Sequence, residues 1–153
     1  MNLFLKYLSL FGMAMLPVLE LRGSVPWGVA QDLNYAMVLA VSILGNMVPV
    51  PFIMLFIRRI FDWMKKKSRR LAAIAEKLEA RAQSKGDILV KYETLGLFIL
   101  VAIPLPGTGA WTGALVASIF DLRMRNALPA IFIGVVTAGL IMTVLSYGVD
   151  VLI

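Results

Sequence analysis

The 153 residues are 60% hydrophobic and 16% charged, against about 45–50% apolar residues in a soluble domain, so the chain reads as a polytopic integral membrane protein. It has neither cysteine nor histidine. That excludes disulfides, thiolate chemistry and imidazole bases, and with them most hydrolase and metalloenzyme templates.

The net charge of +6 sits wholly in residues 58–93, where eleven Lys and Arg face five Asp and Glu. A short basic stretch flanked by apolar tracts obeys the positive-inside rule and is expected in the cytoplasm, not on a nucleic acid. Lys6 is the only charge near the N-terminus and lies inside the apolar run, so no signal peptide is expected. The expected localisation is the inner, cytoplasmic membrane, with several passes.

Leu3 to Leu16 is predicted as an apolar helix that ends at Pro17. Its rise of about 21 Å falls short of the ~30 Å hydrocarbon core, so it enters without crossing. Residues 17–28 are punctuated by Pro17, Pro26 and glycines, and they hold Glu20 and Arg22, the only charges between Lys6 and Asp32. Asp32 to Asn34 reads as a surface turn. Tyr35 to Ile57 then spans with about 34 Å of rise, carrying Asn46 and a kink at Pro49 and Pro51. In the basic segment, Leu71, Ile74, Ala75, Leu78 and Ala82 fall at helical spacing and predict an amphipathic helix capped by Gly86. A connector between two halves is the favoured reading, ahead of a helix lying on anionic lipid.

Thr94 to Ile103 re-enters for about 15 Å, to near the bilayer midplane. There Ile103-Pro104-Leu105-Pro106-Gly107-Thr108-Gly109-Ala110-Trp111-Thr112-Gly113 must interrupt the helix. Pro104 and Pro106 lack backbone donors, and Gly107 and Gly109 permit φ > 0. Broken backbone at that depth is tolerated only where protein or a watery cavity surrounds it. A re-entrant turn at a binding site is favoured over a simple proline kink. Ala114 to Phe120 is predicted to return as a half-helix to Asp121 to Arg125, and Asn126 to Tyr147 to span.

The halves look alike. Each short helix ends at a proline, passes a broken segment and a polar turn, and begins a long helix with Leu44-Gly45 or Ile133-Gly134. Only the second polar turn carries arginines, Arg123 and Arg125, which puts the two turns on opposite sides. The expected fold is all-α, with two inverted repeats (1–57 and 94–153), each a short helix, a re-entrant hairpin and a spanning helix. A basic cytoplasmic amphipathic connector (58–93) joins them.

Ionised groups at mid-depth usually face a cavity or a partner. Glu20 and Arg22 therefore read either as an ion pair that fixes the turn, or as a site where Arg22 attracts an anion and Glu20 carries a coupled proton. The free N–H groups of Gly107, Thr108, Gly109 and Ala110 at a half-helix N-terminus suit an anion, with Trp111 beside them. Arg123 and Arg125 are topology markers that can also receive a phosphate at the mouth. Asn46 reads first as helix–helix glue. No catalytic group, metal or cofactor is expected, and the chain does not read as an enzyme.

Leu16 to Gly28, Gly45 to Phe52 and Ile103 to Gly113, in that order and spacing, together resemble the small multidrug export family. That family is similar, more distantly, to DedA-type membrane proteins. The resemblance implies paired re-entrant hairpins and proton-dependent flipping of lipid phosphates by membrane-embedded acidic and arginine residues, matched here by Glu20, Arg123 and Arg125. The expected partners are membrane lipids and an anionic lipid or lipid-phosphate substrate, with a homo-oligomer left open. A proton-coupled exporter of drugs or metabolites is the alternative, and a non-transporting scaffold a further one.

Overall fold

Prolines and glycines punctuate the apolar runs, and the helix order follows that punctuation. The computed structural model describes residues 2–85 and 92–152, which contain helices and no strand. The first half runs α1 (Leu3–Met15), α2 (Glu20–Ala30), α3 (Tyr35–Met47) and α4 (Pro49–Lys67), and α5 (Arg69–Ser84) follows. The second half runs α6 (Glu93–Ala102), α7 (Ala110–Ile119) and α8 (Met124–Leu152). Two stretches, Tyr35–Lys67 and Met124–Gly148, are long and apolar enough to cross a membrane.

The breaks at Pro17, Pro104 and Pro106 are where the sequence places them. Leu16 and Ile103, the residues before Pro17 and Pro104, adopt extended backbone (ψ 137° and 115°), as a following proline demands. Pro26 is different: α2 continues through it. Its ring lies on the exposed face, while Leu21, Ser24, Val25 and Gly28 are buried on the opposite one, so packing outweighs the lost ladder bond. Pro49 occupies the first turn of α4, where a missing N–H costs little. The interruption there narrows to Val48, which keeps helical angles.

Three helices differ in extent from the sequence reading. The long helix does not stop at Ile57, because nothing between Arg58 and Lys67 breaks it. Ser68, extended at φ −158°, ends α4 and caps α5 by accepting the Arg70 N–H on its hydroxyl. Helix α7 begins at Ala110, directly after Gly109, and not at Ala114. Helix α8 outruns its predicted range at both ends. In α5, Ala75 and Ala82 are buried, but Ile74 faces outward. Lys65 bonds both oxygens of Glu79 at 2.9 and 2.7 Å, folding α5 back along α4. The predicted cap at Gly86 lies outside the described residues.

The two halves use the same joints. In each, the short helix packs on the long one (α1 on α3, α6 on α8). A Cβ added at Gly45 would lie 2.6 Å from the Phe11 carbonyl oxygen and 2.9 Å from the Ala14 Cβ; one at Gly134 would lie 3.1 Å from the Phe98 carbonyl oxygen and 2.7 Å from the Val101 Cβ. Both broken segments end in Asp-Leu. Asp32 (φ 53°) and Asp121 (φ 59°) are left-handed, and the next N–H turns back, Leu33 to the Gly28 carbonyl and Leu122 to the Ala117 carbonyl. This is a Schellman-type stop with aspartate at the usual glycine position. Gly45→Ala and Gly134→Ala should each destabilise the protein by about 1–3 kcal/mol through overpacking. Gly12→Ala, with open space beside it, should be neutral or stabilising by up to ~1 kcal/mol. Denaturant unfolding in detergent checks this, and three equal variants would contradict it.

The long helices run antiparallel. Tyr35, at the start of α3, meets Tyr147, near the end of α8, edge to face at 6.2 Å, and the Tyr147 hydroxyl donates to the Leu33 carbonyl. At the other end, Arg58 on α4 reaches Asp121, just before α8 begins.

Candidate functional site

The two broken segments meet, and each satisfies backbone groups that the other leaves open. Helix α7 starts after Gly109 with no side-chain cap of its own, so its first N–H groups and the positive end of its dipole need an acceptor. Glu20 supplies it from the other half. Its carboxylate is 4% exposed and accepts the Trp111 N–H at 3.1 Å, with the Ala110 N–H beside it. To aim it there, Glu20 opens α2 with φ 45°, a conformation uncommon outside glycine. Gly109, at φ 116°, lies so close that a Cβ would overlap the carboxylate.

Arg22 ties down the loop before α7. Its Nη2 donates to the Thr108 carbonyl (2.9 Å) and to Thr108 Oγ1 (2.8 Å). That hydroxyl also takes the Leu105 N–H and spends its single proton on the Ile103 or Leu105 carbonyl. Trp111 returns the favour to the first half, its indole N–H donating to the Met15 carbonyl at the end of α1 (2.9 Å). Glu20 and Arg22 are therefore not a contact ion pair. Among the described residues, the ion pairs are Arg58–Asp121 and Lys65–Glu79.

A cavity of about 10 Å³, room for about one water, lies beside Glu20, Arg22, Asn46, Pro104, Gly109 and Ala110. Val135 and Ala138 of α8 also line it and flank the middle of the Met124–Gly148 span, which puts the cavity at mid-depth of that helix. Asn46 is 1% exposed, and its Oδ1 has no hydrogen-bond partner among the described residues. The expected helix–helix bond through that oxygen is absent; α2 and α3 are instead linked by Ser24 and Ser42, both buried, at 2.9 Å.

Of the sequence-predicted site residues, Glu20, Arg22, Thr108, Gly109, Ala110 and Trp111 come together here. Gly107 is exposed with open space around it. Arg123 and Arg125 are exposed beyond the far end of α7, about 15 Å of helix away. Arg58 was not singled out by the sequence. Its Nε donates to the Ser118 carbonyl (2.8 Å) and its Nη2 to the Ile119 carbonyl (3.2 Å), where a cation suits the negative end of α7. The only local sign was its place as the first charge after the apolar run; its partners lie some sixty residues on.

The family model described as Putative small multi-drug export protein matches residues 20–141. The chain belongs to that family. The match opens on Glu20 and takes in both charged residues of the first break, Asn46, Arg58 and the whole of α7. No curated protein and no solved structure matches the chain. Family membership and the two long apolar helices make it a membrane protein.

Proposed function

We propose that this small multidrug export family member is a proton-coupled transporter of amphipathic anions, with a lipid phosphate as the first substrate to test. The observation that carries the reading is the Glu20 carboxylate seated on the N-terminus of α7, where an anion is favoured by free N–H groups and the dipole. Glu20 stands in for the substrate's anion. A proton on Glu20 removes its charge and weakens its hold on the N–H groups of Ala110 and Trp111. Arg22, whose Nε and Nη1 make no hydrogen bond among the described residues, supplies the permanent positive charge. The cavity holds about one water, so a substrate enters only when the two hairpins part. The distant resemblance to DedA-type proteins, read from the sequence alone, is what puts a lipid phosphate first among the candidates.

In this reading α1–α2 and α6–α7 are re-entrant hairpins of an inverted repeat. The matching glycine joints, the matching Asp-Leu stops and the antiparallel long helices support it. Residues 58–93 and Asp121 to Arg125 then face the cytoplasm of the inner membrane, and Asp32 to Asn34 the outside. The chain lacks cysteine, so single cysteines at Asn34, Ser68 and Asn126 report sidedness cleanly. An impermeant thiol reagent applied from outside should label the first and spare the other two. Labelling of all three from one side would remove the inversion.

The function itself is tested in liposomes, with labelled lipid phosphate followed under an imposed pH gradient. Export of a cationic drug in its place would select the second reading, which the family description and the buried Glu20 carboxylate favour. Movement of neither would leave the cross-tied hairpins as a scaffold.

A further inference from the structure

Asn46 is the one feature of the central cavity that the bonds already described leave unexplained. A buried amide oxygen without a partner is expensive and asks for an explanation. Here it is 1% exposed, belongs to the last turn of α3, and faces the same small cavity as Glu20. That oxygen can only accept. The Glu20 carboxylate, as an anion, can also only accept, and its Oε1 takes the Trp111 N–H. With the amide oxygen turned to the cavity, and no bond from the Asn46 N–H groups to Glu20, these two oxygens are acceptors with no proton between them. Protonation changes that, because a neutral carboxyl carries an O–H that must donate when buried.

We propose that Asn46 is the proton-state partner of Glu20: the protonated carboxyl turns from the N-terminus of α7 to donate its O–H to Asn46 Oδ1. This rests on the proton-coupled reading above and specifies its second state. The proton comes from the aqueous phase on one side, rides on Glu20 as a covalent O–H, and leaves to the other side when the carboxylate returns to α7. The charge that moves is one proton; apart from that O–H no covalent bond is made or broken, and one hydrogen bond, from the Trp111 N–H, is exchanged for another, to Asn46.

The surroundings suit this exchange. Arg22, on the same helix, is the charged group that acts on Glu20. Helix α7 and the loop from Ile103 to Gly109 carry no ionisable side chain. Helix α6 carries only Glu93, at its start, and α3 only Tyr35, at its start. Helix α1 contributes Tyr7, which does not line the cavity, and Lys6, which is spent on the Gln31 carbonyl at the far end of α2. On α8, Arg125 and Tyr147 lie near the two ends, away from the Val135 and Ala138 that line the cavity, and Asp150 lies beyond the described side chains. Asn46 is thus the neutral acceptor set aside for the proton.

Infrared difference spectroscopy on the purified protein in lipid nanodiscs, between alkaline and acid pH, reads the carboxylic C=O stretch directly. Glu20→Gln identifies the Glu20 band by its loss. In the native protein that band should have the lowered frequency of a hydrogen-bonded acid, and in Asn46→Leu it should move up toward that of a free acid. Asn46→Ser, which keeps an acceptor in a smaller side chain, should give an intermediate position and carries the test if the leucine variant does not fold. A Glu20 band unmoved by either substitution overturns the partnership while leaving proton coupling intact. Absence of any Glu20 band in the native protein overturns the proton-coupled reading and the partnership with it.

Discussion

Gly109→Ala should be among the most damaging single substitutions in this protein, at about 3–5 kcal/mol of stability. Two costs combine. The residue sits at φ 116°, where an L side chain is strained by about 1–3 kcal/mol. The new Cβ would also overlap the Glu20 carboxylate and drive it off the Trp111 N–H, a charged hydrogen bond worth about 1.5–3 kcal/mol. Gly107→Ala separates the two. It has a positive φ of 83° but open space around it, so it should lose only about 1–2 kcal/mol. Thermal or denaturant unfolding in detergent measures both. Equal losses would mean that Glu20 is not held against Gly109.

The second large effect concerns Glu20 and Arg22. Each bonds to the opposite half and not to the other, so they should behave as two ties and not as one pair. Arg22→Gln removes both bonds to Thr108 and should cost about 1.5–3 kcal/mol. It should also weaken uptake of an anionic substrate about tenfold or more at every pH, since guanidinium charge does not titrate in this range. Glu20→Gln keeps an acceptor for the Trp111 N–H and should cost about 1–2 kcal/mol. Its transport should lose the response to a pH gradient while substrate exchange persists. The double variant should be the least stable of the three. Had they been a buried contact pair, removing one partner would strand the other at about 3–5 kcal/mol, and the double variant would recover. Unfolding and liposome transport on the same samples distinguish the two cases.

What was legible in the sequence was the punctuation. Proline acts on its own backbone and on the residue before it, so the ends of α1 and α6 could be read from Pro17 and Pro104 alone. Pro26 could not, because its effect is opposed by the burial of Leu21, Val25 and Gly28 against other helices, which no local pattern announces. Glu20, Arg22 and the Thr108 to Trp111 segment each stood out in the sequence, since charges and broken backbone inside apolar runs need partners; that they meet is seen only in the fold. Which group went where was not legible either. The Glu20 to Trp111 bond spans 91 positions, and the anion seat at α7 turned out to hold the chain's own carboxylate. The Asp-Leu pairs at 32–33 and 121–122 stood in plain view as identical dipeptides. Only their shared left-handed backbone shows them to be the same joint.

Helix α7 carries a consequence for how the chain is made. Its N-terminus is closed by Glu20 and its C-terminus by Arg58, and both residues precede it in the chain. During synthesis both residues leave the ribosome before residues 110–119 do, so the groups that close α7 at its two ends are made before the helix itself. In return α7 donates its Trp111 indole N–H to the Met15 carbonyl and its Ser118 hydroxyl to the Met54 carbonyl. A ribosome reading the chain in order supplies both closing groups ahead of the helix they close.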